Sequence, residues 1–246
     1  MEYANGGDLQ NYLGNNFDKL TWSDKIRLAF QIADGLYYLH DRNILHRDLH
    51  SKNILIHENN VKITDFGLSK YQYTQKSTAY VGNFGVIAYI EPKRIFDRNF
   101  LYTESSDIYS FGVIMWEISS GCPPFKDYSN RIELAAFIKN GIREETIPDT
   151  PIEYEELYKN CWSEKPNQRP TISKIIDELR KMAITHNKLE PSEFINFIID
   201  YKVVKVINKS ELSDMKNIDG GHFGIISKAK WIKTNNYVIC TQKIKK

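Results

Sequence analysis

The segment from Asn53 to Gly67 constrains the fold of this chain more tightly than any other stretch. Apolar Ile54-Leu55-Ile56 and Val61-Lys62-Ile63 flank a polar tip at Glu58-Asn59-Asn60, which is the pattern of a short β-hairpin. A hairpin returns the chain to its starting end. Asn53, just before the first strand, and Asp65, just after the second, are therefore expected side by side at the open end. Immediately upstream lies His46-Arg47-Asp48-Leu49-His50-Ser51-Lys52-Asn53, which sets a further carboxylate, Asp48, five residues before Asn53.

Two carboxylates and an amide in this relation suit phosphoryl transfer. There the protein mainly positions a hydroxyl against a phosphate and supplies oxygen ligands for magnesium. Taken singly, His46-Arg47-Asp48 reads equally as an exposed charged loop, and Asp65-Phe66-Gly67 as an Asp-initiated turn. The hairpin between them changes that, because local geometry then brings two metal ligands together.

At 246 residues and 41% apolar content the chain can bury a real core, as one large domain or one domain with an extension. A net charge of +2 makes no electrostatic case for nucleic acid or an anionic membrane. Lys228, Lys230, Lys233, Lys243, Lys245 and Lys246 make the C-terminal end locally basic, the pattern of a solvated strand face. Cys122, Cys161 and Cys240 lie far apart with no Cys-x-x-Cys pair, so neither zinc nor a disulfide framework is supported. The N-terminus lacks the pattern of a secretory signal, and no run reaches the roughly eighteen apolar residues of a membrane span. These features predict a soluble, cytoplasmic protein.

Thr21-Trp22-Ser23-Asp24 reads as a helix-capping box, followed by Ile26, Ala29, Ala33, Leu36 and Leu39 at helical spacing. A second helix is predicted from near Asp107, with Ile108, Phe111, Met115, Trp116 and Ile118 on nearly every side, which marks it as buried. Further helices are predicted over 132–138, closed by Gly141, over 153–161 and over 171–182. The stretch 191–200 also reads as helix-like. From Leu9 to Met182 the expected architecture is helical with a few short strands.

His46 to Asn53 together with Asp65-Phe66-Gly67 resembles the catalytic half of a eukaryotic protein kinase, and the resemblance extends over the whole first part of the chain. It implies an α+β fold: a mainly helical large lobe with short β-hairpins over 1–183, a linker with a short helix over 184–210, and a partial β-rich small-lobe segment over 211–246. Met1 to Ala4 resembles the segment linking the two kinase lobes. The resemblance implies that Glu2, Ala4, Asp8 and Leu55 contact ATP. Asp107 to Gly112 resembles the start of the central helix, whose Asp braces the catalytic loop, and Pro166 to Pro170 a late element of the large lobe.

The same resemblance implies roles. Asp48 accepts the substrate hydroxyl proton, Asn53 and Asp65 hold magnesium, and Lys52 neutralises the transferring phosphate. His46 and Phe66 are expected to stack rather than exchange protons. Lys52 lies four residues after Asp48, and His50 occupies the nearer position where serine/threonine kinases place lysine. This pattern is closest to the tyrosine-kinase-like group, whose members usually modify serine or threonine in protein substrates. Arg47 is expected to pair with a phosphate on the following segment, where Ser69, Tyr71, Tyr73, Thr74, Ser77 and Thr78 offer hydroxyls. One departure is Ile90-Glu91-Pro92-Lys93, where the family has Ala-Pro-Glu. Lys93 would bring a like charge toward Arg169, unless Glu91 substitutes from two residues away.

Near the C-terminus, Asp219-Gly220-Gly221-His222-Phe223-Gly224 resembles a kinase glycine loop, with Lys243 in the place of the phosphate-binding lysine. Gly221, Gly224 and Lys243 are thus candidate nucleotide contacts of a second, partial kinase domain. The order of large lobe, linker and small-lobe start favours a piece spanning the junction of two kinase domains, inactive by itself. The competing reading is a non-catalytic interaction module. Neither the substrate nor the oligomeric state is set by the sequence.

Overall fold

The computed structural model describes residues 4–71, 84–97, 99–186, 212–221, 224–231 and 236–242. The chain divides into two compact units, residues 1–189 and 190–246.

The first unit opens with α1 (Leu9–Asn16), which sequence patterning does not single out because only Leu9 and Leu13 are buried. Helix α2 (Trp22–His40) starts at the expected capping box. The Asp24 N–H donates to the Thr21 hydroxyl at 3.3 Å, and the Thr21 N–H donates to the Asp24 carboxylate at 3.0 Å. Ile26, Ala29, Ala33 and Leu36 are fully buried, as their spacing predicts. The chain then passes through β1 (Ile44–Leu45), a 3-10 turn (Ser51–Asn53), the hairpin β2 (Ile54–His57) and β3 (Asn60–Ile63), and β4 (Lys70–Tyr71). Strand β1 pairs antiparallel with β4, and β2 with β3. The hairpin turn at Glu58 and Asn59 has φ of 48° and 62°, the left-handed conformation of a two-residue turn.

Helix α3 (Pro92–Phe96) precedes α4 (Glu104–Ser120), the helix around which the unit is built. Every residue from Ser106 to Ser119 is buried. Helix α4 begins at Glu104, a turn earlier than its apolar pattern indicates, because Thr103 N–H is satisfied by the Ser106 hydroxyl at 3.1 Å. Gly112 sits where α4 meets the C-terminal end of α6 (Ile152–Cys161). A Cβ there would lie 2.7 Å from Cys161 Cβ and 2.9 Å from Trp162 N, so the contact requires glycine. Helices α5 (Arg131–Lys139) and α6 match expectation within a residue at their ends. Helix α7 (Ile172–His186) buries Ile172, Ile175, Ile176 and Leu179, and it continues past Met182 to His186. The fold is α+β, helix-rich with short antiparallel strand pairs. Among the described residues no helix is long and apolar enough to cross a membrane.

The second unit is a three-stranded antiparallel meander of β5 (Leu212–Gly221), β6 (Gly224–Trp231) and β7 (Asn236–Gln242). The helix-like stretch 191–200 lies outside the described residues.

Candidate active site

Asp107, in the first turn of α4, organises the loop that carries Asp48. Its carboxylate accepts from His46 N–H at 2.9 Å, from Arg47 N–H at 2.9 Å, and faces His40 Nε2 at 3.0 Å. Arg47 has φ of 72°, a left-handed conformation that is unusual for a residue with a side chain. The two backbone bonds to Asp107 hold that bend, and with it the direction in which the loop leaves. Helix α2 ends at His40, so the helix predicted to deliver the chain to this loop also supplies one of the groups on Asp107.

The loop next fixes Asp48 and Asn53 against one another. Asn53 Nδ2 donates to the Asp48 carbonyl at 2.9 Å and lies 3.4 Å from Asp48 Oδ2. That commits the amide nitrogen and leaves the amide oxygen as the atom that could serve as a ligand. Thr64 closes the hairpin from the other side: its N–H and hydroxyl donate to the Asn53 carbonyl at 2.9 and 3.0 Å. Asp65 follows directly, in left-handed backbone (φ 59°), with its carboxylate accepting from Gly67 N–H at 3.2 Å. The expected meeting of Asn53 and Asp65 at the open end of the hairpin is what the pairing of Ile54 with Ile63 produces.

Among the described residues no three His, Cys, Asp or Glu side chains form a metal cage. Magnesium suits a more open arrangement, since it retains waters and phosphate oxygens and takes only one or two protein carboxylates. Asn53 and exposed Asp65 fit that requirement.

His46 is fully buried, and its ring is spent on backbone. Asp48 N–H points at Nδ1 (3.3 Å), so Nε2 carries the proton donated to the Thr64 carbonyl at 3.0 Å. The ring also packs 5.4 Å from that of Phe66, as expected of a stacking pair. His50 Nε2 lies 3.8 Å from Asp48 Oδ1. Burial holds the His50 imidazole below its ordinary pKa, with the Asp48 charge pulling the other way. The position that holds lysine in serine/threonine kinases is therefore taken by a ring that is mainly neutral at pH 7, and the cation here is exposed Lys52.

The segment before α1 is laced onto β2. Gly6 N–H donates to the Ile56 carbonyl and Ile56 N–H to the Gly7 carbonyl, both at 2.9 Å, and Asp8 bridges Leu55. A Cβ on Gly6 would lie 2.8 Å from the Ile56 oxygen, so glycine permits this close approach. Asp8 and Leu55 are thereby brought together, and the Ala4 carbonyl accepts from Gly7 N–H at 3.4 Å. Asp8 also has a function that sequence reading missed. As N-cap of α1 it accepts from Asn11 N–H at 2.9 Å and Asn11 Nδ2 at 2.6 Å. Glu2 lies outside the described residues.

The like-charge conflict expected at Lys93 does not arise. Glu91 is fully buried and pairs with Arg169 through both carboxylate oxygens, while Lys93 is exposed. Arg169 further donates to the carbonyls of Ser105 at 2.7 Å and Ser163 at 2.9 Å, and its guanidinium packs on Tyr109. Glu91 has moved the family's carboxylate two positions upstream, where it also caps α3 by accepting from Lys93 N–H. Arg47 packs 5.0 Å over the Tyr102 ring. Ser69 donates to the His46 carbonyl at 3.2 Å and Tyr71 is exposed. Tyr73, Thr74, Ser77 and Thr78 lie outside the described residues.

Sequence reading missed a second buried set. The Tyr89 hydroxyl donates to Glu117 Oε2 at 2.6 Å and lies 3.1 Å from Ser51 Oγ, within the turn that carries Asn53. Burial pushes the Glu117 carboxyl up to about 7. Burial, together with the adjacent Glu117 charge, pushes the Tyr89 hydroxyl well above its ordinary value. A Glu set between Trp116 and Ile118 near the end of an apolar helix was the available signal.

In the second unit Gly221, the last residue of β5, pairs with Gly224, the first residue of β6. Gln242, the last residue of β7, pairs with Ile225, next to Gly224. Lys243 lies outside the described residues.

A family model for protein tyrosine and serine/threonine kinases matches residues 1–179. A putative serine/threonine-protein kinase/receptor of Acanthamoeba polyphaga mimivirus is 35% identical over 181 residues, 72% of this chain and 11% of the relative. A probable serine/threonine-protein kinase of Dictyostelium discoideum is 34% identical over 183 residues, 74% of this chain and 19% of the relative. Vascular endothelial growth factor receptor 2 of Mus musculus is 35% identical over 181 residues, 72% of this chain and 13% of the receptor. The chain thus spans between about a tenth and a fifth of the length of these relatives. With Asp48, Asn53 and Asp65 held on one hairpin-anchored loop and the match running through most of the first unit, the chain belongs to the protein tyrosine and serine/threonine kinase family.

Proposed function

We propose that the first unit transfers the γ-phosphate of ATP to serine or threonine hydroxyls of a protein substrate, with Asp48 as the proton acceptor. The observation that carries this reading is the Asn53 amide bonded to the Asp48 carbonyl at 2.9 Å, which sets a carboxylate and a metal-ligand oxygen in one rigid loop beside Asp65. Asn53 and Asp65 would hold magnesium, which supplies charge neutralisation for the phosphates when bound. Asp48 orients the acceptor hydroxyl and takes its proton as the oxygen–phosphorus bond forms and the bond to the ADP leaving group breaks. Lys52, exposed beside Asn53, is placed to offset negative charge on the transferring group. Ala4, Asp8 and Leu55 form the nucleotide-facing stretch, and Gly221, Gly224 and Lys243 are proposed nucleotide contacts of the second unit.

Serine and threonine are proposed as acceptors because two of the relatives above are named for them. A cytoplasmic location is proposed on the free thiols of Cys122 and Cys161. The test is phosphate transfer from radiolabelled ATP to generic protein substrates by the full-length protein, with phosphoamino-acid analysis of the product. Asp65→Ala should abolish magnesium-dependent transfer. Label on tyrosine alone would overturn the acceptor assignment, and transfer unaffected by Asp65→Ala would overturn the site.

A further inference from the structure

Ser51, Tyr89 and Glu117 have no part in the roles assigned above, yet their exposures are only 1%, 3% and 1%. They come from three separate segments: the catalytic loop, the stretch leading into Pro92, and the C-terminal part of α4. Tyr89 is also held at its backbone, where the Ser110 hydroxyl donates to its carbonyl at 2.7 Å. Three buried hydroxyl and carboxyl groups in series must agree on where each proton goes.

With Glu117 ionised, the carboxylate can only accept: Tyr89 gives its single hydroxyl proton to Oε2, and the Ser51 hydroxyl is left to donate, to Tyr89 or to the carboxylate itself. With Glu117 protonated, the carboxyl has a proton of its own to donate to Tyr89. Tyr89 can then turn its proton toward Ser51, whose own proton must find another acceptor. Ser51 opens the turn that runs to Asn53, and its carbonyl accepts from Ile54 N–H. It is three residues from Asp48 and two from Asn53.

We propose that Glu117 is a positioning residue that, through Tyr89, fixes the Ser51 hydroxyl and the turn bearing Asp48 and Asn53, and that neutralising Glu117 loosens that turn. The groups around Glu117 are Gln10 from α1, with Nε2 at 3.5 Å from Oε1, Asp8 at the head of that helix, Ser51, and Tyr89. Burial and the Asp8 charge favour the protonated carboxyl, and the Tyr89, Ser51 and Gln10 donors favour the charged one. The balance falls at about 7, so both forms are populated near neutrality. The consequence for turnover rests on the kinase reading; the coupling within the fold does not.

Hydrogen exchange read by mass spectrometry on the full-length protein at pH 6 and pH 8, corrected for intrinsic exchange, tests the coupling. In the wild type, peptides covering residues 49–54 should lose about five- to tenfold protection at pH 6, the scale of one buried hydrogen bond. Glu117→Gln, which still accepts from Tyr89 and cannot ionise, should be protected equally at both pH values. Tyr89→Phe should be unprotected at both, and Ser51→Ala provides a second cut in the same chain of bonds. Peptides from α7 report whether each variant is folded. Equal protection of the wild type at both pH values, or a pH response that persists in Glu117→Gln, overturns the proposal. Phosphate transfer by the same samples separates the two readings. A kcat that rises from pH 6 to pH 8 in the wild type and is flat in Glu117→Gln extends the coupling to catalysis. A wild type inactive at both pH values counts against the kinase reading, and the exchange result still decides the coupling.

Discussion

Replacing Glu91 by alanine removes the carboxylate from a buried pair and leaves the Arg169 guanidinium enclosed. Both side chains are fully sequestered, and Glu91 takes two of the guanidinium's hydrogen bonds, one to each carboxylate oxygen. The Ser105 and Ser163 carbonyls remain as acceptors, but neither carries a compensating charge. Breaking a buried pair from one side costs about 3–5 kcal/mol, because the surviving charge stays desolvated without its partner. For a unit of this size each kcal/mol moves Tm by roughly 2–4 °C, so Tm should fall by roughly 6–20 °C. Lys93→Glu supplies the comparison. It restores the family's residue at an exposed position whose partner is already satisfied, and it should change stability by no more than about 0.5 kcal/mol. Thermal melts followed by far-UV circular dichroism on the full chain decide both. A Glu91→Ala protein that melts with the wild type, or a Lys93→Glu protein stabilised by several degrees, would refute the assignment of Glu91 as the partner of Arg169.

Glu117 should impose a pH dependence on stability. Between about 4.5 and about 7 the folded protein holds a proton that the unfolded chain has released, so stability falls as pH rises through that window. The total is roughly 3 kcal/mol, from the usual 1.36 kcal/mol per pKa unit. Denaturant titrations of wild type and Glu117→Gln across that range should show a steeper fall in the wild type by that amount, and parallel curves would remove Glu117 as its source. Asp107→Asn keeps the shape of the brace but removes its charge and sets an amide N–H against His46 and Arg47 donors. It should lower kcat by at least about tenfold, the equivalent of one lost buried bond to a charged acceptor, with α7 exchange protection retained. Unchanged kcat would show that the loop does not depend on that carboxylate.

What could be read from the residues alone was what local physics dictates. The capping box at Thr21 and the helical spacing to Leu39 located α2, and the apolar runs around Glu58-Asn59 located the hairpin that joins Asn53 to Asp65. The all-round apolar pattern of α4 predicted its burial, but its first turn is polar and was legible only as a cap. Helix α1 stayed hidden because only two of its eight residues are buried. The pairing of Glu91 with Arg169 spans 78 residues, and that of Tyr89 with Glu117 spans 28. Spacing carries no such information. The resemblance to kinases placed the partner of Arg169 at position 93 and left Glu91 as an alternative, and the fold shows that Glu91 takes the place.

The central claim is that Asp48 takes the proton while Asn53 and Asp65 hold the metal, and it is tested most directly by Asp48→Asn in the full-length protein. Turnover and magnesium-nucleotide affinity are measured on the same preparation. Asparagine keeps the size of the side chain and cannot accept the substrate proton, so kcat should drop by about a hundred- to ten-thousandfold. Nucleotide affinity should stay within about threefold of wild type, because the Asn53 bond to the residue 48 carbonyl survives the change. A variant that turns over at close to the wild-type rate would contradict the assignment of Asp48 as the proton acceptor.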